Sequence, residues 1–597
     1  MNPTPFPVSR CVLLCLLVGG IYFIPQGLYF VRTRSPQILL EENRDETFLA
    51  VLASRAAGEH EGQPDPYRLQ PGGDPAIAFY TAQRFPLVTL AAMARLCRVP
   101  VTMVLWAGSF VFPAVLASLL AYIAWLCGIR DFTQLSLLVG LSMLALPPPY
   151  WAGLSKYVLA VLEGRAPDFL MMLPYSRRYQ PQLIGVFHFL SIALSLLLLR
   201  AKTGPARFLI AVASGAAFGI SFYSYLYSWS VLLGWFGLGG ACVWMWHRQI
   251  TKPWLVASTM GIGISVPYWM WCLRHFSALG AASGLARTHR VSPSDLPELI
   301  LALSIAVLLG FFLSRKRSGR ELLWVPLVLV LSAALGVIQN VVTGVYIQPY
   351  HYVHYFVRPA MSFALVALLA FAMEGSSTFS RQASLIRATA WVMIGLALFS
   401  ASVVQLHRYR IASTAVAHIF EALPAFEFLK RRGPAGVAVY SPQPEVHEAI
   451  PLYTNAVPYF SMFMWMSETA VNRDALLERI ASKYVLDGTK EEDFGRLVGS
   501  RPWDIFLLQR QRTVHPQAEL EMREMERIVL DHFRRILNTE RPAVFAGLRY
   551  LMLPAARSLE STRFPRYFLI RRMWSDGRYT VFELSRDGNS WNAAGRL

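Results

Sequence analysis

Long apolar stretches are the feature that most limits what this chain can fold into. Runs of about 20 apolar residues recur between residues 11 and 404. As an α-helix, each run is about 30 Å long, which matches the hydrocarbon core of a bilayer. Only 16% of the residues are charged, against roughly 25% in soluble domains. We therefore predict a polytopic α-helical membrane protein.

We predict about eleven transmembrane helices. Their ranges are 11–31, 101–127, 132–149, 182–200, 208–225, 228–247, 254–273, 297–314, 321–339, 356–374 and 385–404. Loops rich in Lys and Arg stay in the cytoplasm, and they alternate along this series. The N-terminus is therefore predicted to lie inside, and an odd number of spans places the chain after residue 404 outside. The net charge of +19 belongs largely to the cytoplasmic loops, so we expect no nucleic-acid partner.

The composition changes after residue 404, where charged residues become as frequent as in a soluble domain. We predict a transmembrane module over 1–404, whose outer loop at 32–100 carries surface helices, and an extracytoplasmic α/β domain over 405–597. In this domain the patterns predict helices at 413–431, 473–485 and 518–537, strands at 436–440 and 548–554, and a hairpin at 566–586 turning at Asp576-Gly577. The apolar stretch 452–465 is predicted to pack on the membrane part or to cover an active-site cleft.

Several classes of site are missing from the sequence. None of the six cysteines lies in the C-terminal region, so we predict neither a disulfide framework nor a cysteine metal site. The sequence has no Gly-rich phosphate loop, no zinc-ligand spacing and no internal repeat. These absences exclude ATP-driven transport by this chain.

Two adjacent acids, Asp45 and Glu46, follow the first span. A carboxylate in partly dry surroundings beside a second carboxylate can act as a general base or a metal ligand. The alternative is a helix start, because Asn43 with Glu46 three residues later is a variant of the capping box and Asp45 favours the positive helix end. The two interpretations are compatible, since a capped helix is a rigid support for an acid.

The helix that begins at these acids is predicted to lie at the membrane surface. Its apolar side comprises Phe48, Leu49, Leu52 and Ala56. A second surface helix is predicted near 84–98.

Basic residues occur in the outer loops, where the positive-inside rule predicts few. They form three groups: Arg177 with Arg178, Arg287 with Arg290, and His351 with His354 and Arg358. In a helix, the last three share one face. Such cations are suited to binding a lipid phosphate; the alternative is that they extend to anionic headgroups or bond the backbone. Asp168 is a candidate second acid or metal ligand, or else a surface charge.

This layout resembles the GT-C glycosyltransferases. The shared features are an N-terminal span, an outer first loop that opens with an acid pair, about ten further spans and an external C-terminal α/β domain. The stretch R-D-E-T-F at 44–48 is similar to the start of that loop in aminoarabinose and protein mannosyl transferases. Residues 501–505, Arg-Pro-Trp-Asp-Ile, depart from the W-W-D-Y-G motif of the oligosaccharyltransferase branch, which disfavours transfer to asparagine.

The resemblance implies an inverting membrane glycosyltransferase of cell-envelope biosynthesis. It would move a sugar from a polyprenyl-phosphate carrier to a glycan, lipid or protein acceptor outside the cytoplasm. Asp45 would be the general base, with Glu46 beside it, and the basic groups would bind the donor phosphate. A divalent metal, Mg²⁺ or Mn²⁺, would bind at Asp45 and Asp168. The absence of Asn-x-Ser/Thr sites and of extracellular disulfides suits a bacterial inner membrane.

Two other functions compete with this one. The first is a transporter or flippase of a lipid-linked saccharide, which would carry ionisable residues in mid-span and related halves. The second is a non-catalytic protein of cell-envelope assembly. The charges at outer loop edges favour the enzyme, because chemistry at the outer surface needs them there.

Overall fold

The computed structural model describes most of the chain and divides it into two compact units. The described residues are 6–40, 45–61, 67, 84–145, 173–175, 177–282, 286–287, 296–315, 320–343, 345–346, 349–375, 382–461, 464, 473–501 and 516–586. Unit 1 comprises Met1–Pro36, Val104–Met270 and His289–Ala412. Unit 2 comprises Gln37–Met103, Trp271–Thr288 and Ser413–Leu597.

Helices make up most of the described residues. In chain order they are α1 (Val8–Thr33), α2 (Asp45–Ala57), α3 (Arg84–Cys97), α4 (Val101–Cys127), α5 (Phe132–Val139), α6 (Ile184–Arg200), α7 (Gly204–Ser221), α8 (Leu226–Trp246), α9 (Arg248–Ala282), α10 (Leu296–Arg315), α11 (Arg320–Thr343), α12 (Pro349–Tyr352), α13 (Arg358–Gly375), α14 (Ala383–Ala415), α15 (Ala417–Arg432), α16 (Pro444–Tyr453), α17 (Arg473–Leu486), α18 (Glu491–Gly499), α19 (Pro516–Asn538) and α20 (Phe564–Tyr567). Three π-helical turns, Gly140–Leu144, Arg178–Leu183 and Val353–Val357, follow α5, precede α6 and join α12 to α13.

The strands are short and most of them lie in the C-terminal region. In chain order they are β1 (Ala286–Arg287), β2 (Val345–Tyr346), β3 (Ala438–Tyr440), β4 (Val457–Pro458), β5 (Leu548–Pro554), β6 (Leu569–Ser575) and β7 (Tyr579–Ser585).

Nine of the described helices are long and apolar enough to cross a membrane. They are α1, α4, α6, α7, α8, α10, α11, α13 and α14. The predicted span 132–149 corresponds to a shorter apolar helix over Phe132–Leu144, and the predicted span 254–273 lies within the 35-residue α9. The chain is therefore a polytopic α-helical membrane protein, as its apolar stretches predict.

Small residues allow the helices of unit 1 to approach closely. A Cβ atom at Gly215 of α7 would lie 2.6 Å from the carbonyl oxygen of Ala257 on α9. One turn later, a Cβ atom at Gly219 would lie 2.6 Å from Cβ of Ile264. Glycines spaced four residues apart thus form the surface of α7 that packs on α9, as is common between membrane helices.

The last membrane helix extends beyond its predicted end. The prediction ended it at residue 404, whereas α14 continues to Ala415. Gln405, His407 and Arg408 interrupt the apolar pattern, but all three side chains are buried within the unit. Burial of polar groups by neighbouring helices is a tertiary effect that hydropathy does not detect.

Unit 2 contains a five-stranded mixed sheet in the order β4-β3-β5-β7-β6. Strand β3 is parallel to β4 and β5, and β7 is antiparallel to β5 and β6. The predicted hairpin is confirmed: Gly577 has a φ of +86°, and the Asp576 carboxylate accepts hydrogen bonds from the N–H groups of Arg578 and Tyr579 at 2.8 and 2.9 Å. Together with helices α15 to α19, the sheet forms a C-terminal α/β domain.

The structure adds a strand to unit 2 and corrects one expectation about it. Stretch 452–465 contains the unpredicted strand β4, and Tyr459 is fully buried in the sheet domain, where its hydroxyl bonds Ser482 Oγ at 2.7 Å. Helix α2 is not a surface helix with one apolar face, because Glu46, Ser54 and Arg55 are buried as well as its apolar residues. It packs against α3 and α16, and Arg55 donates to the carbonyl oxygens of Thr454 and Ala456, which a lipid surface would not provide.

Candidate functional site

The segment before α6 brings two predicted arginines into unit 1. Arg177 has an extended backbone, with φ −96° and ψ 136°, and the π-turn begins at the next residue. Successive side chains of an extended backbone point in opposite directions. Arg177 accordingly donates to the Tyr355 hydroxyl at 3.4 Å, whereas Arg178 donates to Gln26 Oε1 on α1 at 3.0 Å. The arginine pair therefore contacts two different sides of the helical unit.

Hydrogen bonds fix this segment to the π-turn at 353–357. The Tyr175 hydroxyl donates to the carbonyl oxygen of Tyr355 at 2.7 Å. Gln182 in turn donates from Nε2 to the carbonyl oxygen of Tyr175 at 2.6 Å. Because Tyr175 is 1% exposed, these bonds are shielded from solvent and hold Arg177 in place.

The predicted group His351, His354 and Arg358 lies on the element that begins with α12 and continues through the π-turn into α13. Arg358 Nη1 lies 2.6 Å from His354 Nδ1, and Arg358 Nη2 lies 3.5 Å from Glu298 Oε1. The sequence predicted three cations on one helical face, and the structure adds a carboxylate beside the arginine. Arg358 is thus oriented from two sides, with its side chain 15% exposed.

Aromatic residues surround His351. Its ring stacks on Tyr227 with centroids 4.7 Å apart and planes 14° from parallel, and it meets Tyr355 edge-on at 5.5 Å. The Tyr225 hydroxyl is hydrogen-bonded to His351 Nδ1. Tyr352 packs edge-on against Tyr227 at 4.9 Å. Residues 221–230, SFYSYLYSWS, therefore supply aromatic rings to the same region as Arg177, because the α7–α8 junction turns there.

A small apolar cavity of about 20 Å³ lies in the same unit. His188, Val231, Leu329, Phe356, Pro359 and Phe363 are among its lining residues. The space is sufficient for one water molecule and too small for a prenyl group. His188 Nδ1 is already bonded to Ser228 Oγ at 3.0 Å, so we assign this cavity to packing.

The predicted acids belong to unit 2. Asp45 is the first residue of α2, and Glu46 is buried at 2% exposure. The acid pair thus lies at the start of the described helix, and its role in capping stays a prediction. The side chain of Asp45 and the proposed N-cap Asn43 lie outside the described parts of the structure.

The remaining predicted site residues are only partly described. Arg287 lies in strand β1, but its side chain is not described, and Arg290 and Asp168 lie outside the described residues. Among the side chains that the structure describes, no group of three or more His, Cys, Asp and Glu could hold a metal ion. Both proposed metal ligands, Asp45 and Asp168, belong to the undescribed side chains.

Sequence reasoning missed a buried polar cluster on the Arg178 side of the segment. Tyr22 of α1 donates to the carbonyl oxygen of Met143 at 2.6 Å and interacts electrostatically with Arg408 of α14. Gln405, on the same face of α14 as Arg408, is fully buried, and neither of its amide atoms has a hydrogen-bond partner among the described residues. An arginine and a glutamine three residues apart in a span could have signalled this cluster, but the predicted helix ended before them.

Neither a family model nor a curated protein sequence matches this chain. Among solved structures, the chain is similar to ArnT from Cupriavidus metallidurans, whose structure contains bound undecaprenyl phosphate. The two share 13% sequence identity with a TM-score of 0.44, over 97% of this chain and 98% of that one. A likeness of this size assigns neither fold nor chemistry, so the function proposed below depends on the chain's own spans and side chains.

Proposed function

We propose that this protein is a membrane glycosyltransferase of the GT-C type. It takes a sugar from a polyprenyl-phosphate carrier and transfers it, with inversion, to a glycan, lipid or protein acceptor. The reaction takes place on the extracytoplasmic side of a bacterial inner membrane. The observation that supports the proposal most is a contact within one helical unit. Arg177 donates to the hydroxyl of Tyr355, which lies 178 residues later on the same element as His351, His354 and Arg358.

The chemistry needs a base and a set of cations. The acceptor hydroxyl attacks the anomeric carbon, the bond from that carbon to the phosphate oxygen breaks, and the electron pair leaves with the phosphate. Asp45 takes the hydroxyl proton, and a carboxylate nearby also favours the oxocarbenium-like transition state. Glu46 is the neighbouring acid in this proposal.

The growing negative charge on the leaving phosphate requires fixed hydrogen-bond donors. Arg177, His351, His354 and Arg358 supply them at the ends of apolar spans. Arg178, which donates to Gln26 on the other side of the segment, supports the segment and not the phosphate. Arg287 and Arg290 complete the proposed donor-phosphate set. Tyr225 and Tyr227 are buried and hold the ring of His351 in place.

The test is transfer by the purified full-length protein in liposomes, with labelled polyprenyl-phosphate sugars as donors. Asp45→Asn is expected to lower the turnover at least about a thousandfold with unchanged polyprenyl-phosphate affinity, because it removes the base only. Arg177→Met is expected to raise the dissociation constant of polyprenyl phosphate about tenfold to a hundredfold. Arg387→Met is the matched control, since this half-exposed arginine pairs with Asp131 at 3.2 Å and should change neither quantity.

Two results would contradict the proposal: wild-type protein that transfers no sugar from any polyprenyl-phosphate donor, or an Asp45→Asn variant that remains active. A divalent metal at Asp45 and Asp168 is part of the proposal and has its own measurement. Turnover should fall after chelation and return with Mg²⁺ or Mn²⁺ if these carboxylates hold the ion.

A second candidate function is a transporter or flippase of a lipid-linked saccharide. Buried Gln405 and Arg408 favour it, because ionisable and polar residues inside spans mark transport pathways. Movement of a fluorescent lipid-linked saccharide across proteoliposomes, without sugar transfer and with loss in Arg408→Met, would support this candidate over the enzyme.

A further inference from the structure

The last turn of α2 is bound to the C-terminal sheet domain within unit 2. Arg55 is 9% exposed. Its Nη2 donates to the carbonyl oxygens of Thr454 and Ala456 at 3.2 and 3.4 Å, and its Nη1 donates to the carbonyl oxygen of Glu61. Residues 452–456, the last two residues of α16 and the three that lead to β4, form what we call the anchor turn.

The residues after α2 bind the same turn. His60 Nε2 lies 2.8 Å from the carbonyl oxygen of Leu452, and the N–H of Glu61 donates to Asn455 Oδ1 at 3.1 Å. The end of α2 is thereby attached to four of the five residues of the anchor turn. A planar guanidinium suits this place, because Nη1 and Nη2 of its fork reach the carbonyl oxygen of Glu61 and those of the anchor turn at the same time.

The other end of the same helix carries the acid pair. Asp45 and Arg55 are ten residues apart in α2, which is about 15 Å along a helix axis. A tilt of roughly 10° about Arg55 would move the start of the helix by about 2.5 Å. Because a misplacement of about 1 Å can lower a rate about a hundredfold, the attachment of α2 is sufficient to control an acid at its first residue.

We propose that Arg55 is a positioning residue for Asp45 and Glu46, and that the anchor turn of the C-terminal domain sets the angle of the helix that carries them. This inference rests on the proposed function. It assigns to the sheet domain a part in catalysis, because the domain holds the base in place.

The experiment compares Arg55→Met and Arg55→Lys with the wild type in full-length protein. Arg496→Met is the matched control, because Arg496 is 80% exposed and pairs with Asp493 on the surface of α18. Turnover is measured with a polyprenyl-phosphate sugar, binding with polyprenyl phosphate alone, and the mobility of α2 by hydrogen exchange of its amides. Arg55→Met is expected to lower the turnover at least about tenfold and to speed the hydrogen exchange of α2 about tenfold, while the dissociation constant of polyprenyl phosphate stays within about twofold. Arg55→Lys should give intermediate values, and Arg496→Met should change none of the three.

Each other outcome overturns the inference in a recognisable way. Equal losses of turnover and of polyprenyl-phosphate binding in Arg55→Met would mean general unfolding, and unchanged turnover with faster exchange would mean that the helix angle does not matter. If the wild type transfers no sugar, the proposed function fails, and the exchange data then report whether Arg55 has only a structural role.

Discussion

Arg358 donates from Nη1 to Nδ1 of His354 across 2.6 Å, so the histidine accepts at this atom and carries its proton on Nε2. An arginine side chain has no acceptor and stays protonated; the tautomer of His354 therefore follows from its neighbour. Glu298 holds the guanidinium of Arg358 from the other side.

The tautomer predicts different effects for two substitutions at position 354. Asn places an amide oxygen near the position of Nδ1 and can still accept from Arg358, whereas Gln places its amide near Nε2. His354→Asn keeps the acceptor for Arg358 but loses the Nε2–H that the proposed function assigns to the phosphate. It should therefore weaken the affinity for polyprenyl phosphate less than His354→Ala, which loses both groups and should weaken it about tenfold, about 1.4 kcal/mol. Titration calorimetry with polyprenyl phosphate measures both, and an affinity of His354→Asn no better than that of His354→Ala would contradict the assigned tautomer.

Gly336 provides the space for the ring of Tyr352. A Cβ atom at position 336 would lie 2.5 Å from Tyr352 Cδ1, and this ring is fully buried with its hydroxyl 2.8 Å from Ser230 Oγ. Gly336→Ala should displace the ring beside His351 at a cost of about 1–3 kcal/mol and reduce polyprenyl-phosphate binding. Gly310→Ala on α10 is the control, because no atom lies within 4 Å of its Cβ position. Equal melting temperatures and equal affinities for the two variants would contradict this role of Gly336.

Unit 2 should lose stability in mild acid because of His447. This residue is 2% exposed, and its Nε2 accepts from the N–H of Phe460 at 3.3 Å. Burial, together with the charge of Lys483, lowers the pKa of His447 to about 3. The unfolded chain binds a proton near pH 6.5 and the folded chain does not, so stability is full above that pH and falls as the pH drops from about 6.5 toward 3.

The expected loss between pH 7.5 and pH 5.5 is about 1.4 kcal/mol from this histidine. Hydrogen exchange of the β3 and β5 amides in the full-length protein, corrected for intrinsic rates, measures the opening free energy at each pH. His447→Gln should be less stable at pH 7.5 and should show a smaller loss on acidification. A loss of the same size in this variant would assign the effect to other groups.

Glu583 joins two strands through its carboxylate. Its side chain is 3% exposed and accepts from Arg549 at 3.0 Å and from Arg571 at 2.6 Å. Glu583→Gln should destabilise the sheet domain by about 1–3 kcal/mol, because Arg549 and Arg571 lose the negative charge of the buried carboxylate that pairs with them. Glu427→Gln is the control: this half-exposed residue pairs with Arg431 one helical turn away and should change stability by less than about 0.5 kcal/mol. Equal shifts of the melting temperature in the two variants, measured by thermal unfolding, would refute the prediction.

Local patterns predicted the elements whose limits are local. Strand β5 covers 548–554 as predicted, because Gly547 and Pro554 bound an apolar run, and the Asp576-Gly577 turn requires only its own residues. Strand β4 has two residues and exists because β3 pairs with it, which no pattern within 457–458 indicates. Helix α2 has the periodicity of a surface helix, and its burial depends on α16, far along the chain.

In the candidate site, too, local sequence predicted some features and not those that depend on distant contacts. The basic residues 177, 351, 354 and 358 could be named from their loops, but the contact of Arg177 with Tyr355 depends on packing between distant segments. Arg408 was not predicted, because a polar residue after an apolar run is the usual sign of a helix end. The acid at 45 was named from its place after the first span, and its role stays a prediction.

The contact of Arg55 with Thr454 joins positions separated by 399 residues, and this distance has a consequence for biogenesis. At a synthesis rate of about 5–20 residues per second, roughly 20–80 s pass between the two segments. During that interval the buried arginine of α2 has no anchor turn to bind, while the intervening spans are being inserted. The contact between the first loop and the anchor turn therefore cannot form until translation is three-quarters complete.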